Sequence, residues 1–261
     1  MDLISIEERA GPLLVSFPHS GTFIPQDIKQ TLTQVALTLP DTDWHVPRLY
    51  DFLTDMPVST IVANYSRYVV DLNRFSQGSA LYPGQSETEV CPTTTFHEQA
   101  IYLSGKTPNK TQIDERIHAY WQPYHDALRA QLERIKAIHG YALLWDAHSI
   151  ASKVPRFFSG TLPDLNLGTG NGLSCRADLR EKLFKLMQQS QFSAVRDSRF
   201  KGGYITRHYG RPQEHIHAMQ MEIAQGAYME ESGSNTFNKT KASKLEAFLQ
   251  KMITLLTATS Q

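Results

Sequence analysis

Residues 12–20 read PLLVSFPHS, and residues 141–149 read YALLWDAHS. Each is a short apolar run that stops abruptly at a histidine and a serine. A run of this length, bounded by turn residues, predicts a strand buried on both faces, the kind found inside a parallel sheet. Outward from these two runs the chain alternates strands with helices. STIVANYSRYVVDLNR (59–74) reads as two strands, Thr60 to Ala63 and Tyr68 to Leu72, joined through Asn64-Tyr65-Ser66. From Thr111 to His139, Ile113, Ile117, Tyr120, Tyr124, Leu128, Leu132 and Ile135 recur at helical spacing, with Pro123 predicting a kink and Gly140 a stop. A helix is expected after Pro47, an amphipathic one in RADLREKLFKLMQQ (176–189), and a closing one from Lys241 to Thr259. YITRHYG (204–210) reads as a short strand and AMQMEIAQGAYM (218–229) as mixed. Residues 75–106 are irregular and too long for a simple connection, which suits a lid or a binding wall. The pattern predicts an α/β fold with a mostly parallel sheet.

Composition narrows the function. The 261 residues carry 26 Lys+Arg against 26 Asp+Glu, a formal net charge of zero, which argues against nucleic acid or an anionic membrane surface as the main partner. A hydrophobic fraction of 41% with 20% charged residues describes an ordinary globular chain rather than a disordered one. Two cysteines, Cys91 and Cys175, are too few for a disulfide scaffold and fit no CxxC zinc pattern. No apolar run approaches the ~18 residues of a membrane span, and the start MDLISIEERAG has no basic region leading into an apolar one. The expected setting is a reducing cytoplasm. No linker, repeat or low-complexity stretch divides the chain, so residues 1–261 are expected to form a single domain. Ten histidines and eleven tyrosines direct attention to a polar site.

His19 and His148 occupy equivalent positions just past two buried strands. In an open parallel sheet ligands bind at the C-terminal strand edge, so two imidazoles arriving there can share a metal ion, or else simply hydrogen-bond loops. A catalytic zinc wants three protein ligands and an open position for water. PDTDWH (40–45) offers the third: Asp43 by preference, with Asp41 and His45 as alternatives, and with a plain helix N-cap as the competing role. Asp146 shares the face of His148 and can orient it or serve structure alone. Asn73-Arg74 forms a polar cluster suited to gripping a carboxylate, or a surface ion pair with Asp71. FKGGYITRHYGRP (200–212) supplies Lys201, Arg207, His208 and Arg211 around glycines that allow close backbone approach or merely mark turns. Glu222, amid apolar neighbours, has the surroundings that raise a carboxyl pKa toward that of a general base; a buried ion pair is the alternative. These residues alone support a metallohydrolase for an anionic substrate.

Taken in order, PHSGTFIP, DTDWHV, VVDLNRFSQGSALYPG, YWQPYHDAL, DAHSIAS, NLGTGNGLSC, FKGGYITRHYGRP and HAMQMEIAQGAYM resemble the N-formylglutamate amidohydrolase (N-formylglutamate deformylase) family from about Pro12 to Met229. The resemblance implies hydrolysis of N-formyl-L-glutamate to L-glutamate and formate, a step of histidine degradation. A deacylase of another acidic N-acyl amino acid is the alternative, and a non-catalytic binder of acidic amino acids a third. It implies a three-layer sandwich around a mixed, mostly parallel sheet, akin to zinc carboxypeptidases and aspartoacylase. In those relatives a Glu ligand follows the first His by three residues; that position is Thr22 in this chain, which turns attention to Asp43. The resemblance further implies Zn²⁺, with Co²⁺ or Mn²⁺ as substitutes, on His19, Asp43 and His148. It implies Glu222 as the base, Asn73 and Arg74 on one substrate carboxylate, and Arg207 with His208 or Lys201 on the other.

Overall fold

The computed structural model describes residues 2–78, 88–231, 233 and 235–258. Its frame is a seven-stranded mixed sheet: β1 (Ile4–Glu7), β2 (Leu13–Phe17), β3 (Ser59–Ala63), β4 (Ala142–Ile150), β5 (Leu165–Gly168), β6 (Ala194–Arg196) and β7 (Ile216–Ala224). Their spatial order is β1-β3-β2-β4-β7-β5-β6. The central strands β3, β2, β4 and β7 run parallel, whereas β1 pairs antiparallel with β3, and β5 with β7.

Period-two alternation decides what each face of the sheet carries. Leu13, Val15 and Phe17 of β2, Leu143 and Trp145 of β4, and Met219, Met221 and Ile223 of β7 share one core with helices Ala177–Gln188 and Lys239–Ala258. Leu14, Leu144 and Ala218 point the other way, into a core closed by Tyr124, Leu128, Leu132 and Ile135 of helix Gln122–His139. Trp145 is fully buried and donates its indole N–H to Tyr50 Oη at 2.9 Å. Truncating such a side chain costs about 3–5 kcal/mol, so the register of β4 is firmly held. On that second face, toward the C-terminal ends of β4 and β7, the apolar series gives way to Asp146, His148, Gln220 and Glu222, all buried.

Several elements differ from their sequence expectation. The long helix begins with a capping box at Asn109 and Gln112, passes through a π-helical turn at Ile117–Trp121, and restarts as Gln122–His139. The interruption just precedes Pro123, which has no N–H for the helical ladder. Gly140 closes the helix at φ 78°, its N–H bonded to the Lys136 carbonyl. Residues 68–72 are turns and irregular backbone rather than a strand: Val69 N–H bonds the Ser66 carbonyl and Arg74 N–H that of Asp71. Their β-branched residues are buried by a compact crossing rather than by a ladder. Residues 204–209 form a helix, not a strand, because Tyr204, Ile205 and Tyr209 turn inward together at helical spacing. Residues 218–224 of the stretch read as mixed belong to β7, and the helix expected after Pro47 is one turn, Val46–Leu49. Of the irregular 75–106 segment, residues 79–87 lie outside the described residues, as does Thr259 at the end of the closing helix, which is described over Lys239–Ala258.

Candidate metal centre and substrate cleft

His19 sits two residues beyond β2 and His148 within β4, its parallel neighbour. The loop carrying Asp43 is drawn against His19 by a backbone bond from Asp43 N–H to the His19 carbonyl at 3.1 Å. As a result one nitrogen of each imidazole and one Asp43 oxygen lie within 4.8 Å of one another, all three residues buried. His148 Nδ1 is 3.0 Å from Asp43 Oδ2, and His19 Nδ1 is 3.9 Å from the same oxygen.

The remote nitrogen of each ring is held by a second carboxylate. His19 Nε2 lies 2.7 Å from Asp71 Oδ1, and His148 Nε2 lies 2.9 Å from Asp146 Oδ2. Donation from Nε2 leaves Nδ1 as the ligating atom and raises its basicity, the usual support for a metal-bound histidine. Asp146 is itself fixed by Ser16 Oγ of β2, which donates to Oδ1 at 3.0 Å. Asp71 accepts from Arg67 Nη2 at 2.5 Å. Two imidazoles and a carboxylate, backed in this way, form a donor set that fits a divalent transition ion.

The surroundings set the charge of each group. Burial lowers the pKa of His19, with Arg67 adding to it and outweighing the pull of Asp71 and Asp43. Burial also opposes the charged form of His148, yet Asp146 and Asp43 overcome it and hold that ring well above its ordinary value. Burial pushes Asp71 upward, but Arg67, His19 and Arg74 keep it well below the usual carboxylate range. Glu222, directly beside His148 across the β4–β7 pairing, is pushed up to about 8 by burial, with His148 opposing and Asp43 adding to the rise. Gln220 orients it: Nε2 donates to Glu222 Oε2 at 3.0 Å while Oε1 accepts from Gly203 N–H at 2.7 Å.

These groups open into a cleft of about 570 Å³, a volume that includes its solvent-open mouth. His19, Asp43, His148 and Glu222 lie along it together with Arg67, Asn73, Arg74 and Arg199, and Phe96, Phe157 and Phe200 supply aromatic surface. Arg74 donates from Nε to the Thr88 carbonyl at 3.0 Å and from Nη1 to the Asn73 carbonyl at 3.1 Å. Asn73 lines the cleft but braces it too: Nδ2 donates to Asp146 Oδ2 at 3.4 Å, and Oδ1 accepts from Ile205 N–H at 2.8 Å. Gly203 packs so closely on that amide that a Cβ would meet Asn73 Nδ2 at 2.4 Å. The glycines of 200–212 thus serve a close approach of backbone to protein side chain.

Among the sequence candidates, Asp41 and His45 stay outside the cluster. Asp41 accepts from Tyr68 Oη at 2.7 Å and from Phe96 N–H, and His45 Nε2 lies 2.7 Å from the Asn235 carbonyl. Thr22 is exposed and away from the cleft lining. Arg207, His208 and Lys201 do not line the cleft either. Helix Tyr204–Tyr209 directs Arg207 back so that Nε donates to the Gly202 carbonyl at 2.8 Å, and His208 stacks on Tyr204 with ring centroids 4.8 Å apart. Asp71 is no surface partner of Arg74; it is fully buried behind His19. Arg67, Gln220 and Arg199 escaped the sequence reading. Only Gln220 carried a local signal, two residues before Glu222 and therefore on the same strand face.

A family model described as N-formylglutamate amidohydrolase matches residues 11–229. N-formylglutamate deformylases of Pseudomonas putida and Pseudomonas aeruginosa are each 43% identical to this chain over 98% of its length, covering 96% and 97% of theirs. Among solved structures, N-formylglutamate amidohydrolase from Ralstonia eutropha JMP134 superimposes with a TM-score of 0.81 at 22% identity, over 98% of this chain and 99% of that one. A gene product of Agrobacterium tumefaciens gives 0.76 at 16% identity, over 100% and 97%. At those identities the two structures speak for the fold.

Proposed function

Because this chain belongs to the N-formylglutamate amidohydrolase family, we propose that it hydrolyses the formyl amide of N-formylglutamate to formate and glutamate, with a divalent metal held by His19, Asp43 and His148. The observation that carries the mechanism is the union of that ligand cluster with the buried Glu222 in one cleft. When bound, a divalent ion supplies Lewis-acid polarisation of the formyl oxygen and acidifies water at neutral pH; zinc suits the donor set best, and cobalt or manganese can substitute. Glu222 takes a proton from the attacking water at its carboxylate and returns it to the departing amine nitrogen. Burial raises its pKa above the ordinary carboxylate value, toward the range a general base needs. Gln220 holds one Glu222 oxygen, leaving the other to exchange the proton. Asp71 and Asp146 keep the two imidazoles oriented with Nδ1 toward the cluster. Arg74, anchored by the Thr88 carbonyl, faces the anionic substrate as a cation of the cleft.

A single mixed sheet that carries His148 and Glu222 and ends one strand just before His19 supports one catalytic domain of zinc-carboxypeptidase-like kinship. The test compares formate, acetate and succinate release from N-formyl-, N-acetyl- and N-succinyl-glutamate by metal-replete protein. Strong preference for the formyl compound is expected. Equal or faster turnover of the longer acyl groups would replace this reading with a broader deacylase.

A further inference from the structure

N-formylglutamate bears two carboxylates at different distances from the scissile bond. The α-carboxylate hangs on the carbon bonded to the amide nitrogen, and the γ-carboxylate lies two methylene groups further out. A cleft that selects this substrate therefore needs one cation near the metal centre and another beyond it. Among the described residues, three guanidinium groups line the cleft: Arg67, Arg74 and Arg199. Arg67 is spent on Asp71, with which it forms a buried ion pair. Arg74 follows Asn73, whose backbone N–H donates to Asp71 Oδ1 at 2.9 Å, so its backbone is tied to the metal end.

Arg199 enters from another part of the chain, the segment between β6 and helix Tyr204–Tyr209. Its Nε donates to the Phe157 carbonyl at 2.6 Å. Its guanidinium carbon lies 5.4 Å from the ring centroids of both Phe157 and Phe200, which are themselves cleft-lining residues. The anchor and the two rings set a cation within an aromatic wall, where lowered hydration strengthens a charge-assisted contact. The geometry points to Arg199 as the residue that receives the γ-carboxylate and so selects glutamate over neutral N-formyl amino acids, while Arg74 serves the α-carboxylate. This assignment rests on the substrate reading above. It also gives the second-anchor role expected of Arg207 to a residue that reaches the cleft.

The test uses N-formylglutamate and N-formylglutamine, in which a neutral amide of nearly the same size replaces the γ-carboxylate, with metal-replete protein. Arg199→Gln is expected to lower kcat/KM for N-formylglutamate on the order of 100-fold, chiefly through KM, while kcat/KM for N-formylglutamine moves less than about 3-fold. Inhibition by product glutamate should weaken in parallel, and inhibition by glutamine should not. Arg199→Lys keeps the charge and stem but loses the planar fork, so it should show a smaller loss of the same selectivity; it replaces the glutamine variant if that one fails to fold. Equal losses on both substrates, or selectivity unchanged in a folded variant, overturn the assignment. Wild-type protein that releases no formate from N-formylglutamate contradicts the substrate reading instead, whatever the variants do.

Discussion

The floor of the cleft and its wall are made of different material. The floor consists of His19, Asp43, His148 and Glu222, backed by Asp71 and Asp146, all buried; His148, Asp146 and Glu222 stand on central strands, His19 just beyond one, and Asp43 and Asp71 on segments packed against them. Its acids outnumber its one buried guanidinium, Arg67, and burial makes every uncompensated charge costly. The opposite behaviour of the two histidines follows: burial and Arg67 lower the pKa of His19, whereas Asp146 and Asp43 hold that of His148 well above its ordinary value. The wall consists of Arg74, Arg199, Phe157 and Phe200, half-buried and borne on connections between strands. A rigid floor suits bond-breaking, where sub-ångström placement counts. A wall of cations and rings suits recognition, where fit and charge count.

Substitutions can break this division, and the largest effects belong to the floor. Asp43→Ala or His148→Ala should abolish stoichiometric metal binding and reduce formate release to background, read by elemental analysis beside a kinetic assay. Glu222→Gln should retain the metal yet lower kcat by roughly 10²- to 10⁴-fold; normal turnover would remove Glu222 from the role of base. Asp146→Asn should leave the ligands in place but weaken metal affinity by roughly 10- to 100-fold, measured by competition with a chelating dye. Arg74→Ala belongs to the wall and should chiefly raise KM, by roughly 10- to 100-fold, with the metal content unchanged.

The smallest effect concerns stability. The folded-state pKa of Glu222, raised by burial from 4.5 to about 8, means that the folded protein keeps this proton after the unfolded chain has lost it. Stability is therefore lost as pH rises through that window, and Glu222→Gln escapes the loss. In chelator-treated protein, the Tm of the glutamine variant should exceed wild type by a few °C above pH 8 and by less below 4.5.

Floor and wall also differ in how far the sequence revealed them. LLVSF and ALLWDAHSI announce buried parallel strands, and a strand's alternation carries His148, Asp146 and Glu222 to one face without further information. Asp43 was one of three candidates in PDTDWH, because a loop has no period; only the bonds that occupy Asp41 and His45 separate them. Arg67 was invisible because an arginine in a turn looks like a surface residue until Asp71 and His19 are packed around it. For the wall, substrate chemistry called for a second cation, but loop conformation decides which arginine reaches the cleft. The resemblance points to Arg207 for that role, whereas the helix at Tyr204–Tyr209 directs Arg207 Nε to the Gly202 carbonyl.

The most direct test of the account is reconstitution. Protein stripped by a chelator should release no formate from N-formylglutamate, and one equivalent of Zn²⁺, Co²⁺ or Mn²⁺ should restore turnover in wild type but not in His148→Ala. Full turnover by protein shown by elemental analysis to be metal-free would contradict it.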